Sequence, residues 1–247
     1  MFARRDIKRA TGALAPPPQP PPISDIRSVD IRTPCNILIT GVRSSGKTQL
    51  FRYFALKRQD LWDHVVCFVG DGKLSHDYDP WRESTLEPND NYALYSLMEA
   101  QRELTRTGRV FRILIVFDDI VGTWNSKNQD RRVDNMRDLI GRLVTSGRHI
   151  QISAMFLVQR CTIVPPVVRD NSDIIIATKL DRESVADYLF RYQSTYASKE
   201  GLWSDFSRHI RARQFGSMFL FPADPGLPPK FLGAVPLIDV EEEEEEE

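Results

Sequence analysis

The sequence has few cysteines and histidines, and neither residue type forms a recognisable disulfide or metal pattern. The three cysteines, Cys35, Cys67 and Cys161, are odd in number and widely spaced. Such cysteines are typical of reduced thiols in an intracellular protein. The four histidines lie far apart and have no cysteine at metal-ligand spacing, so we predict no zinc site.

Long hydrophobic runs are also missing. No stretch approaches the roughly 18 apolar residues of a membrane-spanning helix, and the basic N-terminus leads into prolines instead of an apolar signal core. We therefore expect an intracellular, soluble protein with no membrane span. At 247 residues, the chain suits one α/β domain with short extensions.

A large excess of either charge is absent too, since 33 basic residues face 34 acidic ones. Without the seven glutamates of 241–247, the comparison is 33 basic against 27 acidic residues. This surplus permits contact with a phosphate backbone, but many enzymes without a nucleic-acid partner carry as much.

Composition divides the chain into three parts. Residues 1–30 form a basic, proline-rich tail, which is either a solvated terminus or a contact for DNA or a capsid-like partner. Residues 31–240 form the folded domain. The glutamate run at 241–247 is predicted to be a disordered acidic tail.

Short apolar runs alternate with amphipathic segments throughout the domain. This alternation predicts a doubly wound, mostly parallel sheet with helices on both faces. Two further runs near the C-terminus predict a β-hairpin or edge strands. The predicted strands are 36–40, 65–69, 113–117, 152–158 and 174–177, the helices are 48–58, 92–107, 129–145 and 182–192, and the hairpin is 214–222 with 230–235.

The segment Gly41–Thr48 matches the G-x-x-x-x-G-K-[ST] pattern in full, directly after a predicted strand and at the start of a predicted helix. Its glycines let backbone N–H groups wrap phosphates, Lys47 reaches the β and γ oxygens, and Thr48 binds magnesium. The cofactors predicted are therefore ATP and Mg²⁺. The residues expected to contact the nucleotide are Gly41, Val42, Arg43, Ser44, Ser45, Gly46, Lys47, Thr48 and Gln49.

The second motif is acidic: Asp118 and Asp119 directly follow the predicted strand 113–117. We expect Asp118 to hold magnesium through its water shell. Asp119 then suits the role of polarising the attacking water, or else it caps the following segment.

Two further polar positions, Gln159 and Arg148, are candidates for the same site. Gln159 follows the strand 152–158, where it either senses the γ-phosphate or ends the strand as a polar residue. Arg148 could supply charge to a neighbouring subunit's nucleotide as an arginine finger, with Arg142 as a rival. Arg160 and Arg169 either contact DNA phosphates or are solvated.

With these motifs in place, the chain resembles the genome-packaging ATPases of large double-stranded DNA viruses, which are relatives of the FtsK–HerA group of DNA pumps. The resemblance covers roughly residues 34–180. It rests on residues 37–48, which include the phosphate-binding segment Gly41–Thr48 (the P-loop), and on 116–119, 146–149, 156–159 and 165–171.

The resemblance implies a RecA/FtsK–HerA-like fold and a ring of five or six subunits that hydrolyses ATP to pump double-stranded DNA into a capsid. It also implies a capsid or portal vertex partner, and action at virus assembly sites. In this family's terms Lys47 and Thr48 bind phosphate and magnesium, and Asp118 binds magnesium. Asp119 is the base, Gln159 the sensor and Arg148 the finger.

Other readings of the P-loop stay open. Residues 119–122 fit the D-x-x-G motif of GTPases, and 178–181 fit a guanine-reading [NT]-K-x-D motif. A nucleoside kinase would need an arginine-rich lid, for which 129–132 is the candidate. A nucleotide-gated assembly factor with slow turnover is a third alternative.

Overall fold

The computed structural model describes residues 23–24, 26, 29–58, 60–70, 76–120, 134–192, 195–211, 215–224 and 226–233. The acidic segment 241–247 and residues 1–22 of the predicted basic tail lie outside this part of the chain. The strands are β1 (Ile23–Ser24), β2 (Asn36–Thr40), β3 (His64–Val69), β4 (Thr85–Leu86), β5 (Ile113–Asp118), β6 (Ile152–Val158), β7 (Ile174–Ala177), β8 (Ser217–Leu220) and β9 (Lys230–Leu232).

The α-helices are α1 (Lys47–Lys57), α2 (Asn91–Arg106), α3 (Met136–Ser146), α4 (Pro166–Asp170), α5 (Arg182–Asp187) and α6 (Lys199–Arg211). Short 3₁₀ segments occupy His76–Ser84, Gly147–Ile150, Cys161–Ile163 and Leu189–Tyr192. Within the described residues, no helix is long and apolar enough to cross a membrane.

The strands form one sheet in the order β1-β9-β8-β7-β2-β6-β5-β3-β4. The six strands from β7 to β4 run parallel, whereas β8 is antiparallel to both β7 and β9. Strand β6 therefore lies between β2, which leads into the P-loop, and β5, which ends in Asp118. Because all three are parallel, the residues that follow them meet at one edge of the sheet, called the carboxyl edge below.

Apolar side chains are buried on both faces of the sheet, which explains why the strands are runs of apolar residues instead of alternating ones. In β2, Ile37 and Ile39 pack with residues of α1 on one face, and Leu38 packs with residues of α2, α3 and α6 on the other. Phe68, Phe117 and Phe156 stack across three neighbouring strands of this second face, with ring centroids 5.3 and 5.0 Å apart.

The predicted fold class is confirmed. All five predicted strands are present, with shifts of one residue at most, and the C-terminal runs form the antiparallel pair β8 and β9. The predicted helix 129–145 appears as α3, while residues 129–133 lie outside the described part.

Three local features differ from prediction. The predicted helix 182–192 is divided, because Tyr188 (φ −102°, ψ −61°) ends α5 before a 3₁₀ turn begins. Helix α6 was not predicted, although Leu202, Phe206 and Ile210 recur every four residues and are buried. Strand β1 lies within the segment predicted as tail and pairs with β9, and Val29 is buried, so ordered structure begins before residue 31.

Candidate active site

The P-loop is held at the carboxyl edge by hydrogen bonds to the strands on either side. The amide of Gly41 donates to the carbonyl of Val158 at the end of β6 (3.1 Å), and that of Val42 donates to the carbonyl of Lys179 after β7 (2.9 Å). Ser44 (φ 58°) and Gly46 (φ 94°) are both left-handed, which curls the loop before α1 begins. The two hydrogen bonds hold the start of the loop, and residues 42–44 are exposed.

Gly41 cannot carry a side chain in this arrangement. A Cβ built there would lie 1.8 Å from the hydroxyl oxygen of Thr178, which itself lies 2.7 Å from the hydroxyl of Ser45. Thr178 and Ser45 therefore close the space behind the loop, and the backbone of Gly41 can approach its neighbours closely.

Lys47 folds back over the P-loop. Its ammonium group donates to the carbonyls of Gly41 (2.9 Å) and Val42 (3.1 Å). Burial lowers the pKa of Lys47, although the nearby charges of Asp118 and Asp119 act against that shift. The cation is therefore close to both acids, and the half-buried Thr48 and Gln49 follow it in the first turn of α1.

Asp118 ends β5 and accepts a hydrogen bond from the hydroxyl of Tyr78. Burial raises the pKa of this carboxyl, while the Tyr78 hydrogen bond and the charge of Lys47 act in the opposite direction. Tyr78 is itself buried, which raises its own pKa, and its ring stacks on Phe51 of α1 at 5.7 Å. No sequence motif indicated this tyrosine, because it lies in a 3₁₀ segment between β3 and β4.

Asp119 and Gln159 meet at the carboxyl edge, as their positions after neighbouring strands predict. The amide nitrogen of Gln159 donates to a carboxylate oxygen of Asp119 at 3.0 Å, and both side chains are exposed. Asp119 is left-handed (φ 52°), while its backbone amide still bonds to Leu157 of β6 at 3.2 Å. Most of the segment that Asp119 would cap lies outside the described residues.

Arg148 lies at the opposite edge of the sheet, just before β6. Its guanidinium donates to Asp173 at 2.8 Å, and the other carboxylate oxygen of Asp173 accepts from the amide of Asn36 at the start of β2. The rival Arg142, in α3, pairs with Asp134. Neither arginine lies with the P-loop residues of its own chain, so a finger role for either depends on a neighbouring subunit.

The two arginines considered for DNA contact occupy different surroundings. Arg160 is exposed and directly follows Gln159 at the carboxyl edge. Arg169, in α4, packs its guanidinium over the ring of Tyr188 at 5.6 Å. Of the two, Arg160 has the exposed position next to the candidate site.

Residues of the guanine-reading motif have structural roles here. The buried hydroxyl of Thr178 donates to the carbonyl of Thr40 (3.1 Å), and the carboxylate of Asp181 caps α5 by accepting from the amide of Ser184 (2.7 Å). Val121 and Gly122 of the D-x-x-G motif, and the kinase-lid candidate 129–132, lie outside the described residues.

The donor set at the carboxyl edge fits a magnesium nucleotide. Thr48 and Asp118 offer hydroxyl and carboxylate oxygens, the ligand type that Mg²⁺ prefers. The loop around Gly41 has no room for a side chain there, as phosphate-wrapping backbone requires. These are oxygen donors and backbone amides, without a soft ligand among them.

The family model of the poxvirus A32 protein matches residues 27–214. The chain belongs to the poxvirus A32 protein family. The resemblance to viral genome-packaging ATPases drawn from the sequence is thereby confirmed, and with a complete P-loop and paired acids this A32 family member is a P-loop ATPase. No curated protein sequence matches the chain.

Solved structures share the fold of this A32 family member. B204, the DNA-packaging ATPase from Sulfolobus turreted icosahedral virus, is 14% identical with a TM-score of 0.56, over 82% of this chain and 98% of B204. The genome packaging NTPase B204 from Sulfolobus turreted icosahedral virus 2, in complex with ATP-gammaS, is 14% identical with a TM-score of 0.54 over the same shares. The cytoplasmic domain of the type VII secretion ATPase EccC from Thermomonospora curvata is 14% identical (TM-score 0.56), over 83% of this chain and 26% of EccC.

Proposed function

We propose that this protein is an ATP-driven motor that pumps double-stranded viral DNA into a capsid. The observation that carries the proposal is the meeting of Lys47, the acid pair Asp118 and Asp119, and Gln159 at one edge of the sheet in a member of the poxvirus A32 family. The two B204 proteins are a DNA-packaging ATPase and a genome packaging NTPase, and this likeness suggests double-stranded DNA as the substrate.

The residues divide the work of hydrolysis among them. Backbone amides of Gly41–Thr48 wrap the phosphates, and Lys47 leaves the carbonyls of Gly41 and Val42 to meet the β and γ oxygens. Thr48 and Asp118 would hold magnesium, and a bound ion would supply positive charge to neutralise the phosphates.

Asp119 is the base in this scheme. Its carboxylate accepts a proton from the water that attacks the γ-phosphorus, the bond from that phosphorus to the bridging oxygen breaks, and ADP and phosphate leave. Gln159 acts as the sensor of the γ-phosphate in this scheme. Its amide donates to Asp119, and it donates instead to the γ-phosphate when that phosphate is bound.

Coupling to DNA requires a ring of five or six such subunits around the duplex, docked on a capsid or portal vertex protein at the site of virus assembly. In that ring Arg148, or alternatively Arg142, reaches the nucleotide of the next subunit and stabilises the charge that develops there. Arg148 must exchange Asp173 for that phosphate.

The test is steady-state phosphate release with ATP or GTP, each with and without duplex DNA, with Lys47→Ala as the inactive control. The motor predicts ATP turnover that duplex DNA stimulates. GTP preference without stimulation by DNA would favour a GTPase switch, and slow turnover under all conditions would favour a nucleotide-gated assembly factor.

A further inference from the structure

Phe215 occupies an unusual position beside the P-loop. It is 37% exposed, and it lies in the left-handed region (φ 60°), which bulky residues rarely adopt. A Cβ built on Gly46 would lie 3.2 Å from its Cδ1 atom and 3.3 Å from its Cβ atom. The ring therefore packs against the P-loop at the start of α1.

The topology of the sheet explains how residue 215 reaches this point. Strand β8 is antiparallel to β7, and Met218 pairs with Ala177, the last residue of β7. The start of β8 therefore lies at the carboxyl edge, although the strand belongs to the C-terminal pair. Phe215, two residues before β8, therefore lies at the same edge of the sheet as the P-loop.

Phe215 and the acid pair lie on opposite sides of the P-loop. In the sheet order, β6 and β5 with Gln159, Asp118 and Asp119 are on one side of β2, and β7 and β8 are on the other. A nucleotide whose γ-phosphate faces the acid pair must extend its nucleoside the other way, towards β8. The nucleoside then leaves the P-loop where the ring of Phe215 is exposed.

We infer that Phe215 forms an apolar wall against the base of the bound nucleotide. This inference rests on the proposed binding of ATP at the P-loop. The left-handed backbone holds the ring at the carboxyl edge, a strain of the kind that persists at ligand sites. Contact between a base and an aromatic ring accounts for about tenfold or more in affinity.

The experiment compares two ligands, a non-hydrolysable ATP analogue and inorganic triphosphate, each with Mg²⁺, by calorimetric titration. Phe215→Asn removes the ring and suits a left-handed φ, and Phe215→Gly serves if the asparagine variant does not fold. We expect about tenfold weaker binding of the ATP analogue, unchanged binding of inorganic triphosphate, and recovery in Phe215→Tyr. Tyr92→Ala, which removes a 69% exposed aromatic ring from the start of α2, should bind both ligands as the wild type does.

Three results would overturn the inference. Unchanged binding of the ATP analogue would mean that the ring does not touch the nucleoside. Equal loss of both ligands would mean that the ring supports the loop and not the base. Wild-type protein that binds neither ligand would overturn the proposed nucleotide function itself, and this inference with it.

Discussion

The contact between Asp119 and Gln159 brings a carboxylate and an amide together at the surface, beside the half-buried acid Asp118. Asp118 is enclosed by Tyr78 and lies near Lys47, whereas Asp119 is exposed to water. The two adjacent acids therefore differ in surroundings. The enclosed one suits a fixed charge on a metal, and the exposed one suits exchange of a proton with water.

Replacing Asp119 with asparagine should separate binding from hydrolysis. The variant keeps the P-loop and should bind ATP as the wild type does, but its turnover should fall by about 100-fold or more, since the proposed general base is lost. Equilibrium binding and phosphate release measure the two effects. Asp224→Asn, at an exposed turn before β9, is the matched control, and normal turnover by Asp119→Asn would remove that residue from the role of base.

Tyr78→Phe removes the hydroxyl that donates to Asp118 and leaves the ring stack on Phe51. Loss of a hydrogen-bond partner behind a metal ligand weakens metal affinity, so the Mg²⁺ concentration for half-maximal turnover should rise by about tenfold. Magnesium titration of ATP turnover is the measurement.

Tyr192→Phe is the matched control, because it also removes a tyrosine hydroxyl that donates to an aspartate, in this case Asp170 at 2.9 Å. An identical magnesium curve for Tyr78→Phe and the wild type would show that the hydroxyl does not orient Asp118.

Residues with a motif were predictable, and residues placed by tertiary structure were not. Lys47 and Asp118 follow from local patterns, and Gln159 from its place after a strand. Tyr78 reaches Asp118 only because an irregular segment folds back over α1, and Phe215 reaches Gly46 only because β8 reverses direction. Neither event leaves a periodic signal in the sequence.

At the scale of elements, an ion pair joins the starts of β3 and β5. Arg112 donates to both carboxylate oxygens of Asp63, at 2.7 and 3.3 Å, and its backbone amide donates to the same carboxylate at 2.8 Å. These hydrogen bonds lower the pKa of Asp63 from 3.8 to about 2. The carboxylate of Asp63 therefore links the amino ends of the neighbouring strands β3 and β5.

The ion pair between Asp63 and Arg112 predicts that the stability of the fold depends on pH. Because the pKa of Asp63 is lower in the folded protein, its stabilisation is complete above about pH 4 and is lost as the pH falls towards 2. At neutral pH, Asp63→Asn should lower the free energy of unfolding by less than about 1 kcal/mol, since the pair is partly exposed, and should lower Tm by a few degrees at most. On acidification, the Tm of the variant should fall less than that of the wild type.

Thermal unfolding between pH 2 and 6 measures the difference. In an Arg112→Ala background the same aspartate substitution should have a smaller effect, because the hydrogen bonds from the guanidinium are gone and only the one from the backbone amide of residue 112 remains. An Asp63→Asn curve parallel to that of the wild type would contradict the assignment.

For the elements themselves, the sequence was most informative where burial is two-sided. Strands β2, β5 and β6 each contain a buried apolar run, and each was placed to within a residue. The two-residue strands β1 and β4 are too short to show a hydrophobic pattern. Strand β1 forms only by pairing with β9, which lies near the other end of the chain. Helix α6 shows the four-residue spacing of an amphipathic helix, and that signal was available.

At the scale of the whole molecule, the proposed ring makes Arg148 the residue through which one subunit would act on the nucleotide of another. If it acts in trans, mixing Arg148→Ala subunits with wild type should reduce ATP turnover more steeply than dilution alone. Turnover against the fraction of variant is the measurement, and a linear loss would place this arginine outside a shared site.

The matched control for mixing is Asp173→Asn. It weakens the partner that Arg148 uses within its own chain while leaving the arginine present. If the role of Arg148 were only to hold the starts of β2 and β6, both variants would lose stability and activity alike.

The pairing of β1 with β9 joins segments from almost the two ends of the described chain. Strand β1 is only two residues long and lies at the edge of the sheet, so this edge should form last in folding, after the sheet around β2, β6 and β5 has assembled. The same edge is then the first to open in the native state, and amide hydrogens of β9 should exchange with solvent before those of β6. The phosphate-binding loop, anchored to the slowest-exchanging strands, would keep its shape while the outer edge of the sheet opens and closes.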